Sequence, residues 1–402
     1  MENKNNKVVL AFSGGLDTSF CAIYLQKERN LEVHAVIVNT GGFSDQELAD
    51  IEQKAKSYNV ASFQCIDATE VFYEKCIKYL IFGNVLRNQT YPLSVSAERL
   101  FQAKAIAQYA QQIDAAYVAH GSTGAGNDQV RFDLAFELYC PDATIITPIR
   151  DLKLSRKAEI EFLEKHGVTL EWEKAKYSVN KGLWGTSVGG AETLGSSAPL
   201  PNNAFPSQLE QTEPKEISLD FQSGELVGID GTKYESSKNA LEALNVLTSS
   251  YAIGRDIHVG DTIIGIKGRV GFEAGAALLS IKAHQLLEKH TLTKWQQYWK
   301  DQLGNWYGMF LHESQMNEPV MRNIESFLES TQSNVTGQVF VKLVPYHFEL
   351  CGIESAFDLM QSEFGQYGEM NELWSGEDVK GFTKVLSNSL KIHKSLNPEY
   401  HD

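Results

Sequence analysis

Residues 10–19 read LAFSGGLDTS, an apolar run that ends in Ser13, Gly14 and Gly15, with Asp17, Thr18 and Ser19 close behind. Glycines lack a Cβ, so their backbone N–H groups can close on an anion, and a helix beginning there aims its positive end at the same point. Hydroxyls at Ser13, Thr18 and Ser19 add donors. The spacing matches neither the lysine-bearing phosphate loop nor the dinucleotide fingerprint. Asp17 stands near the place where the former carries its lysine. It serves either as an acid favoured at a helix N-terminus or as an oxygen ligand for Mg²⁺ on a polyphosphate.

A second stretch, GSTGAGNDQVRF (121–132), gathers Gly121, Gly124 and Gly126 with Thr123, Asn127, Asp128 and Arg131. The glycines permit tight turns, and the polar side chains can donate to and accept from one small ligand. Arg131 can clamp a carboxylate in bidentate fashion. The competing reading is a glycine-rich turn before an Asx-capped helix. Tyr91 and Ser96, in TYPLSVSAER, read as ordinary loop residues ahead of a helix, and Ser178 and Ser187, on either side of Trp184, read as structural.

The elements that must hold these groups alternate. Strands are expected at 8–12, 31–38, 61–67, 115–120 and 144–148, with helices at 18–28, 44–58 (opened by a Ser44–Glu47 capping box), 69–82 and 97–112. Such alternation predicts an α/β fold, a parallel sheet with helices on both faces, whose ligands sit beyond the carboxyl ends of the strands. Three of those ends carry SGGLDTS, NTGG (39–42) and HGSTGAGNDQVRF. From about Leu170 the texture changes. Residues 181–206 show no periodicity and are expected to form a long irregular loop, and 220–267 read as short strands and turns around a helix at 236–247. Helices or aromatic-rich segments follow at 275–289 and 295–309, then an antiparallel hairpin at 334–353 and a polar, partly helical tail. The division is therefore 1–170 for nucleotide binding, 171–357 for an α+β second domain, and 358–402 for a helical tail.

Composition narrows the partners. A net charge of −15 disfavours nucleic acid and anionic lipid, so no nucleic-acid or membrane partner is expected. The five cysteines are scattered without a C-x-x-C, which argues against a disulfide framework, zinc site or redox pair; they are expected as small buried residues. No apolar run approaches the roughly 18 residues of a membrane span, and the polar start MENKNNK is unlike a signal peptide, so a cytoplasmic location is expected.

Taken together, Ala11–Ser19 and Gly121–Phe132 resemble the two signatures of the argininosuccinate synthases, A-[FY]-S-G-G-L-D-T-S and G-x-T-G-x-G-N-D-Q-x-R-F. The resemblance runs to about Ile353. It implies an adenine nucleotide α-hydrolase-like domain followed by a synthetase domain, with ATP as co-substrate, Mg²⁺, and a homotetramer joined by C-terminal arms. It further implies ATP contacts from Ala11, Phe12, Ser13, Gly14, Gly15, Leu16, Asp17, Thr18, Ser19, Val38 and Gly121. Citrulline would meet Tyr91, Ser96, Asn127, Arg131, Ser178 and Ser187, and aspartate would meet Thr123, Asn127 and Asp128. Asp17 and Asp128 are the residues implied in catalysis.

Three positions depart from that pattern: Ala125 where many members have lysine, Gly260 where many have a citrulline-contacting glutamate, and Phe272 in place of tyrosine. Asp261 is a candidate substitute for the glutamate. The alternatives are another ligase of the same ATP pyrophosphatase type and a nucleotide-binding regulator without catalysis.

Overall fold

The computed structural model describes residues 5–168 and 177–361, with 363–364, 368, 373–397 and 399. The expected boundary at 170/171 lies outside these residues. The first domain comprises β1 (Lys7–Ala11), α1 (Leu16–Lys27), β2 (Glu32–Asn39), α2 (Asp45–Ser57), β3 (Ser62–Asp67), α3 (Thr69–Phe72), α4 (Lys78–Phe82), α5 (Glu98–Gln112), β4 (Tyr117–Ala119), α6 (Asp128–Tyr139), β5 (Thr144–Ile146), α7 (Pro148–Leu152) and α8 (Arg156–Lys165). Its five parallel strands lie in the order β3-β2-β1-β4-β5. Val8 and Leu10 pack toward α1 and α8, while Val9 packs with α5 and α6 on the opposite face. Both faces of the sheet are covered, as the alternation predicts. The Ser44–Glu47 capping box forms as expected. The expected helix at 69–82 instead contains a π-helical turn, Tyr73–Ile77, between α3 and α4.

The second domain holds β6 (Ser178–Gly182), β7 (Gly185–Gly189), β8 (Lys215–Gln222), β9 (Glu225–Ile229), β10 (Thr232–Lys233), α9 (Ser237–Ser250), β11 (Arg255–Asp261), β12 (Lys267–Glu273), α10 (Gly275–Thr291), α11 (Lys294–His312), α12 (Pro319–Ser330), β13 (Gly337–Val344) and β14 (His347–Glu354). Two antiparallel sheets result, ordered β10-β9-β8-β13-β14 and β11-β12-β7-β6. The irregular loop expected at 181–206 is in part a hairpin, with Ser178–Gly182 pairing with Gly185–Gly189. Its tip points inward, and Leu183 and Trp184 are almost fully buried. The tip is satisfied there because Leu183 N donates to Thr40 O (3.0 Å), Asn245 Nδ2 donates to Leu183 O (2.7 Å) and Trp184 Nε1 donates to Pro92 O (2.7 Å). Glycine-rich strands without alternation carry no period-2 signal, which is why the hairpin escapes a sequence reading.

Helix α11 is docked by a buried cation. Lys300 pairs with Glu288 on α10 at 2.7 Å and donates to Phe82 O at the end of α4 at 2.7 Å. The tail forms α13 (Gly376–Leu386) and α14 (Asn388–Leu396), neither of which contains a buried residue. Cys21, Cys76 and Cys140 are buried as expected, but Cys65 and Cys351 are exposed. No helix among the described residues is long and apolar enough to cross a membrane.

Candidate active site

The carboxyl ends of β1, β2 and β4 open into one cavity of about 900 Å³, closed on its far side by β6–β7, β11–β12 and the end of α11. Ala11, Phe12, Ser13, Gly15, Leu16, Asp17 and Thr18 line it at the first strand end. Gly14 takes φ +73°, a left-handed conformation that suits glycine, and lets the chain turn into α1. The loop is braced from within: Ser13 N donates to Thr18 Oγ1, and Thr18 Oγ1 donates to Gly15 O, each at 3.3 Å. Gly14 and Ser19 are not among the residues lining the cavity; Ser19 is fully buried and its hydroxyl accepts from Tyr58 at 3.1 Å. From outside the cavity, Lys54 on α2 donates to Gly14 O at 2.8 Å and braces the loop. Asp17 sits in the first turn of α1, as the helix-terminus reading expects, and it also lines the cavity. Glu159 on α8 hydrogen-bonds Asp17, and burial, then the Asp17 charge, push the Glu159 carboxyl up.

Val38 and Gly121 line the cavity between the first and third loops. At the β2 end, Gly42 abuts the Lys181 carbonyl so closely that a Cβ would collide with it. The second strand-end loop is thus the seat of the β6–β7 hairpin, which brings Ser178 and Ser187 to the cavity wall. They are not cross-strand partners; Ser187 stands opposite Asn180.

Tyr91, Ser96, Thr123, Asn127, Asp128 and Arg131 complete the expected set, and all line the cavity. Asn127 Oδ1 accepts from Ile263 N at 2.8 Å, which leaves its amide hydrogens to donate and ties α6 to the β11–β12 turn. Asp128 is gripped by two arginines: Arg99 Nε donates to Oδ2 at 3.1 Å and Arg131 to Oδ1 at 3.2 Å. Burial pushes the Asp128 carboxyl up, but Arg99 and then Arg131 outweigh it and hold the carboxyl below its ordinary value. Arg131 is therefore less free than the sequence suggests, since it also donates to His312 O at 3.3 Å. Its buried Nε has no partner and remains a donor for a ligand.

Sequence reasoning missed Arg99, Glu98, His258 and His312. Arg99 has four acceptors, among them Gln102 Oε1 at 2.8 Å and Asn180 Oδ1 at 3.0 Å, and so joins α5, α6 and β6. The available signal was the Glu98-Arg99 pair one turn beyond Ser96. His258 and His312 line the cavity from β11 and α11, more than a hundred residues from the nearer motif, and carried no signal. Of the three departures, Ala125 is absent from the lining and Gly260 is in it. Phe272 is fully buried against Tyr91, with ring centroids 5.3 Å apart, and does not line the cavity. Asp261 lines the cavity but pairs with exposed Lys267 at 2.7 Å.

The sequence agrees with two family models laid end to end. One, described as the arginosuccinate synthase N-terminal HUP domain, matches residues 7–169, and the other, the arginosuccinate synthase C-terminal domain, matches 177–393. The chain belongs to the argininosuccinate synthase family. An argininosuccinate synthase of Xylella fastidiosa is 35% identical over 409 residues, covering 99% of either chain. Those of Dictyoglomus turgidum and Methanocaldococcus jannaschii are each 34% identical, covering 95% and 90% of this chain and 96% and 91% of their own. The HUP domain of the family description is the five-stranded parallel sheet with helices on both faces.

Proposed function

We propose that this protein joins L-citrulline to L-aspartate using ATP, releasing AMP and pyrophosphate on the way to arginine. The observation that carries the reading is the convergence of both family signatures on one cavity, where the second signature brings a buried arginine donor and the far wall supplies serines. The division into a nucleotide domain (1–170), a synthetase domain (171–357) and a tail (358–402) follows the same reading.

The ureido carbon of citrulline is a poor electrophile until its oxygen becomes part of a leaving group. That oxygen attacks the α-phosphorus, the bond to the β-phosphate breaks, and pyrophosphate departs from a citrullyl-adenylate. The aspartate amine then attacks the activated carbon, AMP leaves, and the amine gives up a proton. The loop Ala11–Ser19 holds the ATP phosphates through its cavity-lining residues Ala11, Phe12, Ser13, Gly15, Leu16, Asp17 and Thr18, with Gly14 and Ser19 shaping it from behind and Val38 and Gly121 beside the adenosine. Tyr91, Ser96, Asn127, Arg131, Ser178 and Ser187 hold citrulline; Thr123, Asn127 and Asp128 hold aspartate. No nucleophilic side chain is required, so catalysis rests on positioning and on stabilising phosphate charge. The oxygens of Asp17, Ser13 and Thr18 suit a hard cation, so Asp17 is where Mg²⁺ carried by ATP would meet the protein and neutralise the departing pyrophosphate. The enzyme works in the cytoplasm as a homotetramer, and the uncovered apolar residues of the tail support association through it.

Release of AMP and pyrophosphate should require citrulline, and formation of the adduct should further require aspartate. ATP turnover indifferent to citrulline sinks the proposal. Arg131→Ala should raise citrulline KM at least tenfold, on the scale of a lost charge-assisted hydrogen bond.

A further inference from the structure

Residues 258 and 260 alternate toward the cavity along β11, and their cross-strand partners Val270 and Gly268 line it too. This face presents bare backbone at Gly260 and Gly268, and the His258 ring leans across the first of them. A Cβ built on Gly260 would collide with His258 Nε2. The imidazole thus occupies the space of a side chain at 260. Its ring stacks on Tyr91 at 5.0 Å with 21° between planes, and Tyr91 lies within electrostatic reach of Arg131.

The other polar side chains that β11, β12 and their turn present to the cavity are engaged. Arg269 donates to the carbonyls of Glu192, Gly195 and Ala198 at 2.7–2.9 Å. Thr262 Oγ1 accepts from Ile266 N at 3.0 Å, and Asp261 pairs with Lys267 at 2.7 Å. The carboxylate of Asp128 is taken by Arg99 and Arg131. The nitrogens of His258 have no hydrogen-bond partner among the described residues, and burial, then Arg87, lower its proton affinity, so the ring offers a lone pair. An amino acid whose carboxylate meets Arg131 carries its ammonium on the adjoining carbon. On β11 and β12 the side-chain acceptor left for that ammonium is the imidazole.

We propose that His258 is a specificity-determining residue that accepts a hydrogen bond from the α-ammonium of citrulline above the bare backbone of Gly260. The inference rests on the citrulline-ligating function proposed above. A hydrogen bond, rather than a carboxylate charge, then selects the α-amino group.

The test compares citrulline with its des-amino analogue, the ureido acid lacking the α-amine, in wild type, His258→Ala and His258→Gln. His258→Ala should raise citrulline KM about tenfold or more, the scale of a lost hydrogen bond to a charged group, while KM for the analogue and for ATP stays put. His258→Gln, which keeps an acceptor, should recover most of the loss. Equal losses on citrulline and the analogue, or unchanged citrulline KM, overturn the contact and leave the ligase function standing. A fold defect would move ATP KM as well, and that outcome also counts against the contact. Wild-type enzyme that leaves citrulline untouched overturns the function and the contact together.

Discussion

Glu98 shows what a single buried acid does beneath this site. It is fully buried, accepts from Thr40 Oγ1 at 3.0 Å and pairs with Arg99 at 3.1 Å. Burial raises its carboxyl from the usual 4.5 to about 7, against the pull of Arg99 and Thr40. The native state therefore binds this proton more tightly than the unfolded chain does. The stability it contributes is complete below about pH 4.5 and is lost as pH rises through 7. Glu98→Gln should remove that dependence. Denaturant titrations between about pH 5 and 7.5 should show the variant gaining on wild type by up to ~3 kcal/mol. Coinciding pH profiles would contradict the assignment. At this scale the sequence was legible where chemistry is contiguous: Asp17, Asn127, Asp128 and Arg131 all reach the cavity. It was illegible where a role arises only from a crossing of elements. Arg99 is an ordinary helical arginine until β6 delivers Asn180 to it.

The β6–β7 hairpin is the element that turns a nucleotide fold into a two-substrate cavity. It seats on the loop after β2 through glycine: Gly42 lies against Lys181 O, and Gly182 lies against the Glu98 carboxylate. Gly42→Ala should shift the hairpin, because the obstructing atoms are backbone and cannot rotate away. Overpacking of this kind costs about 1–3 kcal/mol. Melting temperature should fall accordingly, and citrulline KM should rise through displacement of Ser178 and Ser187. A variant with wild-type melting and kinetics would show that the seat yields. The NTGG stretch stands out from its place at a strand end, but its role as the hairpin's seat is hidden because the partner Lys181 lies some 140 residues on. The parallel sheet was readable because buried strands and amphipathic helices each leave a periodic trace. The hairpin leaves none.

Across the whole molecule, the tail is conspicuous for what it exposes. Val379, Phe382, Val385 and Leu386 on α13, with Leu390, Ile392 and Leu396 on α14, are all open to solvent. Apolar faces of this extent mark association surfaces. Full-length protein should sediment near four times its 44.8 kDa chain mass, and a chain ending before Ser375 should sediment as a smaller species. Equal assembly with and without the tail would refute its role. The sequence disclosed a self-contained tail but not the apolar faces left uncovered once it folds. The cavity holds a last consequence, one of timing. Its walls are contributed in chain order from Ala11 through His258 and Gly260 to His312. Domains fold from the N-terminus as the ribosome delivers them, at roughly 5–20 residues per second. A nascent chain therefore carries its phosphate loop well before the wall that faces the amino acid exists. The enzyme is assembled as a ligase only when α11 has left the ribosome, so translation itself sets the moment at which this ATP site acquires something to ligate.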